Sequence, residues 1–348
     1  MSANDLLLSA YDYILPEELI AQYPADRRDH SRLLTYKRSQ QQITHHWFYD
    51  LPSLLEPGDL LVLNNTRVFP ARLFGVKAET GTRFQFLLSR PMAGLAWWAI
   101  GKNTKRMRPG MVFSFPEGVT AEIREVAEGG HVHMVFSGVA ENHFSDWLER
   151  HGEIPYPPYI TARDTAAERY QTVFSQHTGS VAAPTAGLHF TADLFTQLKS
   201  QGIDSVSLTL HVGMGTFSPV RTENITAHEL HSEHYEMEAE TAERLNAQRA
   251  EGKRIIAVGT TATRTLETIW RKHGQFQAER GETKLFVYPG QTLGSIDGLI
   301  TNFHLPKSSL LMLVSTLIGR EPLMNLYTQA IAERYRFFSF GDAMLILP

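Results

Sequence analysis

Ile255-Ile256-Ala257-Val258-Gly259-Thr260-Thr261-Ala262-Thr263-Arg264 is a short apolar run, a glycine and a threonine-rich opening. Four apolar residues between Arg254 and Gly259 make a segment that a sheet buries on both faces. The stretch 260–270 then reads as a helix, so the unit is strand, glycine turn, helix. The same alternation extends outward from it. Thr191 caps a helix carrying Leu194, Phe195 and Leu198 on one side, and Gly202 ends it. Residues 205–212 alternate, with Val206, Leu208, Leu210 and Val212 on one face. A helix is expected over 241–251, stopped by Gly252, and residues 299–300 and 343–347 read as further interior strands. This is an α/β texture.

Between about 71 and 137 the texture changes to short β-type runs, at 83–88, 95–100, 111–115, 120–126 and 131–136. Turn material separates them: Pro91-Met92-Ala93-Gly94, Arg108-Pro109-Gly110, Pro116-Glu117-Gly118 and Glu128-Gly129-Gly130. Strands recurring every ~8–12 residues between such turns indicate a small antiparallel barrel or sandwich. Val132, Met134 and Phe136 alternate with His131, His133 and Val135, as one buried face requires. The Pro-rich run Ile154-Pro155-Tyr156-Pro157-Pro158-Tyr159 marks the exit. The expected architecture is an α/β larger domain, residues 1–70 plus 153–348, with an inserted all-β domain, a small antiparallel barrel, at 71–152. Pro16-Glu17-Glu18-Leu19-Ile20 reads as a helix start, and 59–63 as a short strand broken by Asn64-Asn65-Thr66.

The chain has 348 residues, with 33 Lys+Arg against 37 Asp+Glu and a formal net charge of −4. A 43% hydrophobic and 20% charged composition fits an ordinary globular protein. It excludes a disordered tail or a histone-like polycation, and it confines any phosphate-binding surface to a local patch. Cysteine is absent. Disulfides, a Cys nucleophile, thiolate zinc and Cys-ligated iron–sulfur clusters are therefore excluded. The opening Met-Ser-Ala-Asn-Asp-Leu-Leu-Leu reads as no signal peptide. The apolar stretch 299–318 is interrupted by Asn302, His304, Pro306 and Lys307 and falls short of a membrane span.

Several stretches can carry chemistry. The Gly259 turn aims backbone N–H groups and a positive helix end outward, with Thr260, Thr261 and Thr263 as further donors. That pattern serves either a small anionic ligand or an ordinary capped βα turn. Gly213-Met214-Gly215-Thr216-Phe217-Ser218 lacks the third glycine of a dinucleotide fingerprint, and no phosphate-loop signature occurs. In Ala183-Pro184-Thr185-Ala186-Gly187-Leu188-His189-Phe190, His189 precedes a helix start where a loop can present it. His211 lies on a polar strand face, just before a Gly-x-Gly turn that lets a ligand approach the backbone. Each histidine can transfer protons near neutral pH or act only as a structural hydrogen-bonding group.

His228-Glu229-Leu230-His231-Ser232-Glu233-His234-Tyr235-Glu236 is the densest titratable cluster. It invites a metal reading but is not H-E-x-x-H, and Glu233 or Glu236 reads better as a base or as a carboxylate holding a cation. Lys102, Lys105, Arg106 and Arg108 share one inter-strand loop beside Trp97 and Trp98, and Arg27, Arg28 and Arg32 cluster near the N-terminus. Both groups are either solvated charge or RNA-backbone contacts.

Taken in order, these stretches resemble the S-adenosylmethionine:tRNA ribosyltransferase-isomerases of queuosine biosynthesis. The matching text comprises Tyr11-Asp12-Tyr13 with Leu15-Pro16, Asn64-Asn65-Thr66-Arg67-Val68 and Pro184-Thr185-Ala186-Gly187-Leu188-His189-Phe190. It continues through His211-Val212-Gly213-Met214-Gly215-Thr216-Phe217, His231-Ser232-Glu233 and Gly259-Thr260-Thr261-Ala262-Thr263-Arg264. Thr301-Asn302-Phe303-His304-Leu305-Pro306-Lys307-Ser308-Ser309 and Tyr335-Arg336-Phe337-Phe338-Ser339-Phe340-Gly341-Asp342 complete it.

The resemblance implies a larger α/β domain with an inserted β-barrel. It also implies transfer of the ribosyl part of S-adenosylmethionine to 7-aminomethyl-7-deazaguanine at the tRNA wobble position, giving epoxyqueuosine, adenine and methionine. S-adenosylmethionine is then a substrate, with no cofactor and no metal. The partner is tRNA bearing the modified base, with no membrane, no obligate protein partner and a cytoplasmic location. A sulfonium acidifies the C5′ protons, so a positioned base can form an ylide.

His189, His211, Glu233 and Glu236 are the acid and base candidates, with Asp342 in reserve. Substrate-binding candidates are Pro184, Thr185, Gly187, Gly213, Gly215, Thr260, Thr261, Thr263, Arg264, Asn302 and Asp342. Of these, Thr260, Thr261, Thr263 and Arg264 are expected to hold the methionine carboxylate. Arg67, Lys102, Lys105, Arg106 and Arg108 are RNA-binding candidates. A radical enzyme lacks its cluster ligands. A non-catalytic RNA-binding module and a metal hydrolase built on His228, His231 and His234 are the rival classes.

Overall fold

Leu60–Asn64, Ile255–Val258, Gly298–Asn302 and Ala343–Leu347 are buried at every position, as strands covered on both faces must be. In the computed structural model, which describes residues 3–102, 106–162, 165–213 and 220–348, they form the centre of a nine-stranded sheet. Its order is Glu279–Thr283, Glu233–Met237, Asp204–Leu210, Leu60–Asn64, Ile255–Val258, Gly298–Asn302, Ala343–Leu347, Arg32–Lys37 and Gln42–Trp47. The middle four, from Asp204–Leu210 to Gly298–Asn302, run parallel. Ala343–Leu347 is antiparallel to Gly298–Asn302 and parallel to Arg32–Lys37. One edge of the sheet therefore collects the carboxyl ends of these four parallel strands beside the amino ends of Ala343–Leu347 and Arg32–Lys37.

The helix Ala192–Ser200 starts where Thr191 accepts the Leu194 N–H at 3.1 Å, a side-chain cap worth about 1 kcal/mol. It packs Leu194 and Leu198 against Phe48, Leu61, Ile256 and Ile300 in a continuous apolar core. Thr260–His273 runs three residues past the expected end. Its last turn carries Arg271, Lys272 and His273, and Gly274 closes it at φ 70°. The helix expected over 241–251 spans Ala239–Ala250. The strand expected over 205–212 ends at Leu210, because His211 and Val212 already belong to the loop beyond the edge. Around Pro16 only a three-residue 3-10 turn forms, Glu17–Leu19, with Leu19 its single buried side chain. So short a segment has no apolar face to sustain a helix.

The chain divides into two compact units, Met1–Arg67 with Pro158–Thr178 and Ala183–Pro348, and Val68–Pro157 with Gly179–Ala182. The second unit is a closed six-stranded barrel in the order His131–Ser137, Ala96–Gly101, Arg83–Pro91, Arg72–Lys77, Val112–Ser114 and Thr120–Val126. The expected fold class, α/β with an inserted antiparallel barrel, is borne out. Val132, Met134 and Phe136 point inward, onto a core with Phe86, Phe113 and Phe115. Arg72–Lys77 has no counterpart among the five runs read from the sequence, because Gly75 interrupts its apolar pattern. A side chain there would come within 2.8 Å of the Phe115 ring. The helix Phe144–His151, also unanticipated, buries Phe144 and Trp147 within this unit. Among the described residues no helix is long and apolar enough to cross a membrane.

Candidate active site

The crevice beyond the carboxyl ends of parallel strands is where open α/β sheets place their ligands. Here the chain leaves Leu60–Asn64 through three buried polar residues. Asn64 Oδ1 accepts the N–H of Leu210 at 3.0 Å and of Thr66 at 3.2 Å, while Nδ2 donates to Leu210 O at 3.0 Å. The side chain thus replaces backbone pairing where the strands part. Asn65 Oδ1 accepts from Thr209 Oγ1 at 2.7 Å. Thr66 Oγ1 lies 2.8 Å from His211 Nδ1 and donates to His177 O at 3.4 Å. The Thr66 hydroxyl thus fixes the imidazole by its Nδ1 edge. Burial, reinforced by His234 and His177, lowers the His211 pKa below the ordinary imidazole value, against a smaller opposing pull from Glu236.

The neighbouring corner is built on Arg264 and Glu233, both buried, whose side chains form an ion pair. Glu233 Oε1 also accepts the Gly213 N–H at 2.9 Å, which anchors the turn after His211. Arg264 donates Nε to Leu285 O at 3.0 Å, and its Nη2 is buried with no acceptor among the described residues. Thr261, three residues earlier on the same helix face, has a buried Oγ1 that is likewise unpartnered among them. Thr263 Oγ1 is committed to Gly259 O at 3.1 Å, and Thr260 is buried. Gly259 sits at φ 89°, a conformation that other residues rarely adopt. This corner thus offers an unsatisfied guanidinium nitrogen and an unsatisfied hydroxyl at a helix opening, the donor set of a carboxylate site.

His189 is placed otherwise than expected. It closes the 3-10 turn Thr185–His189, is 4% exposed and stacks on Phe48 at 4.9 Å. Its Nδ1 lies 2.7 Å from Ser31 Oγ and its Nε2 lies 3.2 Å from Asn302 Nδ2. Burial, with Arg336 and Arg28 nearby, lowers its pKa to about 3. The ring is neutral near pH 7 and both nitrogens are occupied. Asn302 also donates to Phe338 O at 3.0 Å, and its Oδ1 is buried without a partner among the described residues. Asp342 accepts the backbone N–H groups of Arg32 at 3.0 Å and Arg336 at 2.7 Å. It ties the amino ends of two strands together at this edge.

The remaining candidates are more dispersed. On Glu233–Met237 the pleat buries Glu233, Tyr235 and Met237 and turns Glu236 to the opposite face. There Glu236 meets the exposed Arg280, 2.6 Å from its Nε. Pro184 is buried, Thr185 half-buried, and a side chain on Gly187 would come within 2.6 Å of Phe174. Arg67 bonds Ser175 and Glu168, both at 3.1 Å. In the barrel unit Lys102, Arg106 and Arg108 are exposed, and Arg108 also donates to Met107 O at 2.6 Å. Lys105 and Gly215 lie outside the described residues. Among those residues no three or more His, Asp or Glu side chains converge as a metal site, and His234 instead meets Glu282 at 3.3 Å.

Residues 8–346 match the protein family described as queuosine biosynthesis protein. The chain belongs to this family. It is 50% identical over 340 residues to the S-adenosylmethionine:tRNA ribosyltransferase-isomerase of Staphylococcus epidermidis strain ATCC 12228, covering 97% of this chain and 98% of that one. It is 51% identical over 340 residues to the enzyme of the same name from Staphylococcus haemolyticus, with the same coverage. Among solved structures, the S-adenosylmethionine tRNA ribosyltransferase of Thermotoga maritima superposes with a TM-score of 0.57 at 36% identity. The match covers 97% of this chain and 100% of that one.

In this queuosine biosynthesis protein the candidates are held in place by Ser31, Asn64, Asn65 and Thr66, none of which is a site candidate by its sequence. Ser31 carries no motif in the sequence, and Asn64, Asn65 and Thr66 enter there as a strand break and as part of the family resemblance, without a role in the site. The available signal was an Asn-Asn-Thr tripeptide straight after an all-apolar strand, since polar groups buried there must pair with something.

Proposed function

We propose that this chain transfers and isomerises the ribosyl group of S-adenosylmethionine onto 7-aminomethyl-7-deazaguanine at the wobble position of tRNA, alongside tRNA in the cytoplasm. Membership of the family, with relatives of that name at 50% identity or more, supports the activity. The observation that ties it to this fold is the pair of unsatisfied donors, Arg264 Nη2 and Thr261 Oγ1, beside His211 and the Gly213 turn at one sheet edge. Arg264 and Thr261 take the methionine carboxylate, and the Gly213 turn lets the nucleoside approach the backbone.

The chemistry balances without an oxidant or reductant. The C5′–sulfur bond, the bond from the anomeric carbon to adenine, one ring carbon–oxygen bond of the ribose, one C5′–H and one N–H of the amine break. One carbon–nitrogen bond, the C1′–C5′ bond that closes the carbocycle and the carbon–oxygen bond that closes the epoxide form. Adenine leaves with a proton and methionine leaves neutral. When the amine enters unprotonated, the charge of the sulfonium leaves as one proton. His211, fixed by Thr66 at Nδ1, is the base for C5′–H. His189 is a positioning residue, because its lone pair already accepts from Asn302.

The test is an adenine-release assay with S-adenosylmethionine and tRNA carrying the modified base, with unmodified tRNA as control. Release of adenine and methionine only with the modified tRNA is the expected result. A folded protein that binds tRNA and releases neither would overturn the reading.

A further inference from the structure

Arg28 and Arg169 stand near each other with no carboxylate engaged by either. Arg28 donates to Leu188 O at 3.2 Å and Glu168 O at 2.9 Å, and Arg169 donates to Asp26 O at 3.2 Å and to Ala25 O. Neither forms an ion pair among the described residues, and the Nε of Arg169 is buried without an acceptor. The acid nearest in effect, Glu168, is exposed and bound by Arg67 at 3.1 Å. Asp29, also close in sequence, accepts from Thr191 Oγ1 at 3.2 Å and lies 3.5 Å from Arg27. Two half-buried guanidinium groups held by neutral carbonyls keep most of their charge uncompensated, and an anion placed between them lowers that cost.

A third donor faces the same space. Asn302 directs one amide proton to Phe338 O and the other to His189 Nε2. His189 therefore carries its proton on Nδ1 and gives it to Ser31 Oγ. The hydroxyl proton of the buried Ser31 then has no other side-chain acceptor among the described residues, and Ser31 lines the cavity described next. Ser31, Arg28, Arg169, His189 and Gly341 line one cavity of about 20 Å³. That volume takes a single oxygen-sized group and no more.

We infer that this cavity is an anion subsite that receives one non-bridging oxygen of a phosphodiester of the substrate tRNA, with Ser31, Arg28 and Arg169 as its donors. The inference rests on the tRNA-modifying reading above. A carboxylate of S-adenosylmethionine is the other anion within the reaction, but it is already matched by Arg264. The two sites are separated along the sheet edge by the steps from Ile255–Val258 through Gly298–Asn302 and Ala343–Leu347 to Arg32–Lys37. At about 4.8 Å per strand that is roughly 14 Å, too far for one carboxylate to serve both.

Equilibrium binding of tRNA, measured from low to physiological salt, tests the subsite in the wild-type protein and in R169Q, R169K and S31A. Loss of one phosphate contact reduces the slope of log K against log salt by about 0.7–0.9. R169Q is expected to show that reduction with about tenfold weaker tRNA binding. R169K and S31A are expected to weaken binding while the slope stays near wild type, since the charge remains. Affinity for S-adenosylmethionine, titrated without tRNA, stays within about twofold in all of them.

Unchanged tRNA affinity and slope in R169Q overturn the inference, as does a loss of S-adenosylmethionine affinity with tRNA binding intact. Thermal stabilisation of the wild type by inorganic phosphate, with no change in tRNA binding in R169Q or S31A, would assign the cavity to a free anion and overturn it too. If R169Q does not fold, R169K and S31A decide the question, and wild-type tRNA affinity in both overturns it. Wild-type adenine release is independent of these outcomes, so the subsite can fail while the activity stands.

Discussion

Asn302 donates to His189 Nε2 at 3.2 Å and to Phe338 O at 3.0 Å, and so decides which nitrogen of a buried histidine is protonated. An imidazole that accepts on Nε2 and donates on Nδ1 has no free lone pair with which to take a proton from a substrate. Asn302→Asp replaces the donor with an anion. The expected outcome is a His189 pKa raised from about 3 toward or above the ordinary value, with the second proton now on Nε2. Nitrogen chemical shifts of the imidazole, followed from pH 4 to 8, check this. A ring that stays neutral across that range would contradict it.

Acid sensitivity follows from the same burial. His189 and His304 both have pKa values lowered to about 3, with desolvation the leading cause for each. His304 Nε2 lies 2.8 Å from Thr301 Oγ1, and its backbone N–H donates to Tyr327 Oη at 2.8 Å. Because the folded pKa lies below the unfolded one, the unfolded chain binds more protons between about pH 3 and 6.5. Stability is full above about 6.5 and falls with pH across that window, by up to about 1.4 kcal/mol per unit for each histidine. His304→Gln is expected to lose one histidine's share of the slope in urea melts from pH 4 to 7. An identical slope would count against this assignment.

Removing one member of the Arg264–Glu233 pair leaves a buried charge alone, which costs about 3–5 kcal/mol. Arg264→Ala is therefore expected to destabilise strongly. Arg264→Lys keeps the charge but loses the planar fork. It is expected to fold, with KM for S-adenosylmethionine raised about tenfold or more and KM for tRNA little changed. Glu236→Ala, on the other face of the strand, removes a contact with the exposed Arg280 and the minor pull of Glu236 on His211. Such pairs are worth about 0–1 kcal/mol, so wild-type stability and adenine release are expected. A large loss of turnover in Glu236→Ala would return that carboxylate to the chemistry.

His211 carries the assignment of the base. His211→Gln is expected to lower kcat by about a hundredfold or more with a small change in melting temperature. It should also abolish exchange of the C5′ hydrogens of S-adenosylmethionine with deuterated solvent. In the wild type, kcat/KM is expected to fall with decreasing pH through a pKa below the ordinary imidazole value, since protonation removes the base. Retained C5′ exchange in the variant would move the role elsewhere.

The strand–glycine–helix unit at Ile255, the alternating run before His211 and the turn-punctuated barrel were legible because each follows from periodicity over adjacent residues. The partners in the crevice were not. Ser31 and His189 are 158 residues apart and His189 and Asn302 are 113 apart, so no local pattern joins them. By its sequence position His189 sits just before a helix, where a loop can present it, whereas tertiary packing buries it. Glu233 and Glu236 looked alike as carboxylates in one cluster, and only the pleat of a strand, which no sequence motif there announced, separates them.

The pairing of Arg32–Lys37 with Ala343–Leu347 bears on how the protein is made. Asp342, which receives the Arg32 N–H, lies 310 residues downstream of it. At ribosomal rates of about 5–20 residues per second, the N-terminal hairpin waits roughly 15–60 s for the strand that joins it to the sheet. Until then Leu33 and Leu34, wholly buried in the finished sheet, have no parallel neighbour. The nascent chain thus carries an open apolar strand edge through most of its synthesis, a period in which a stalled ribosome would leave an aggregation-prone product.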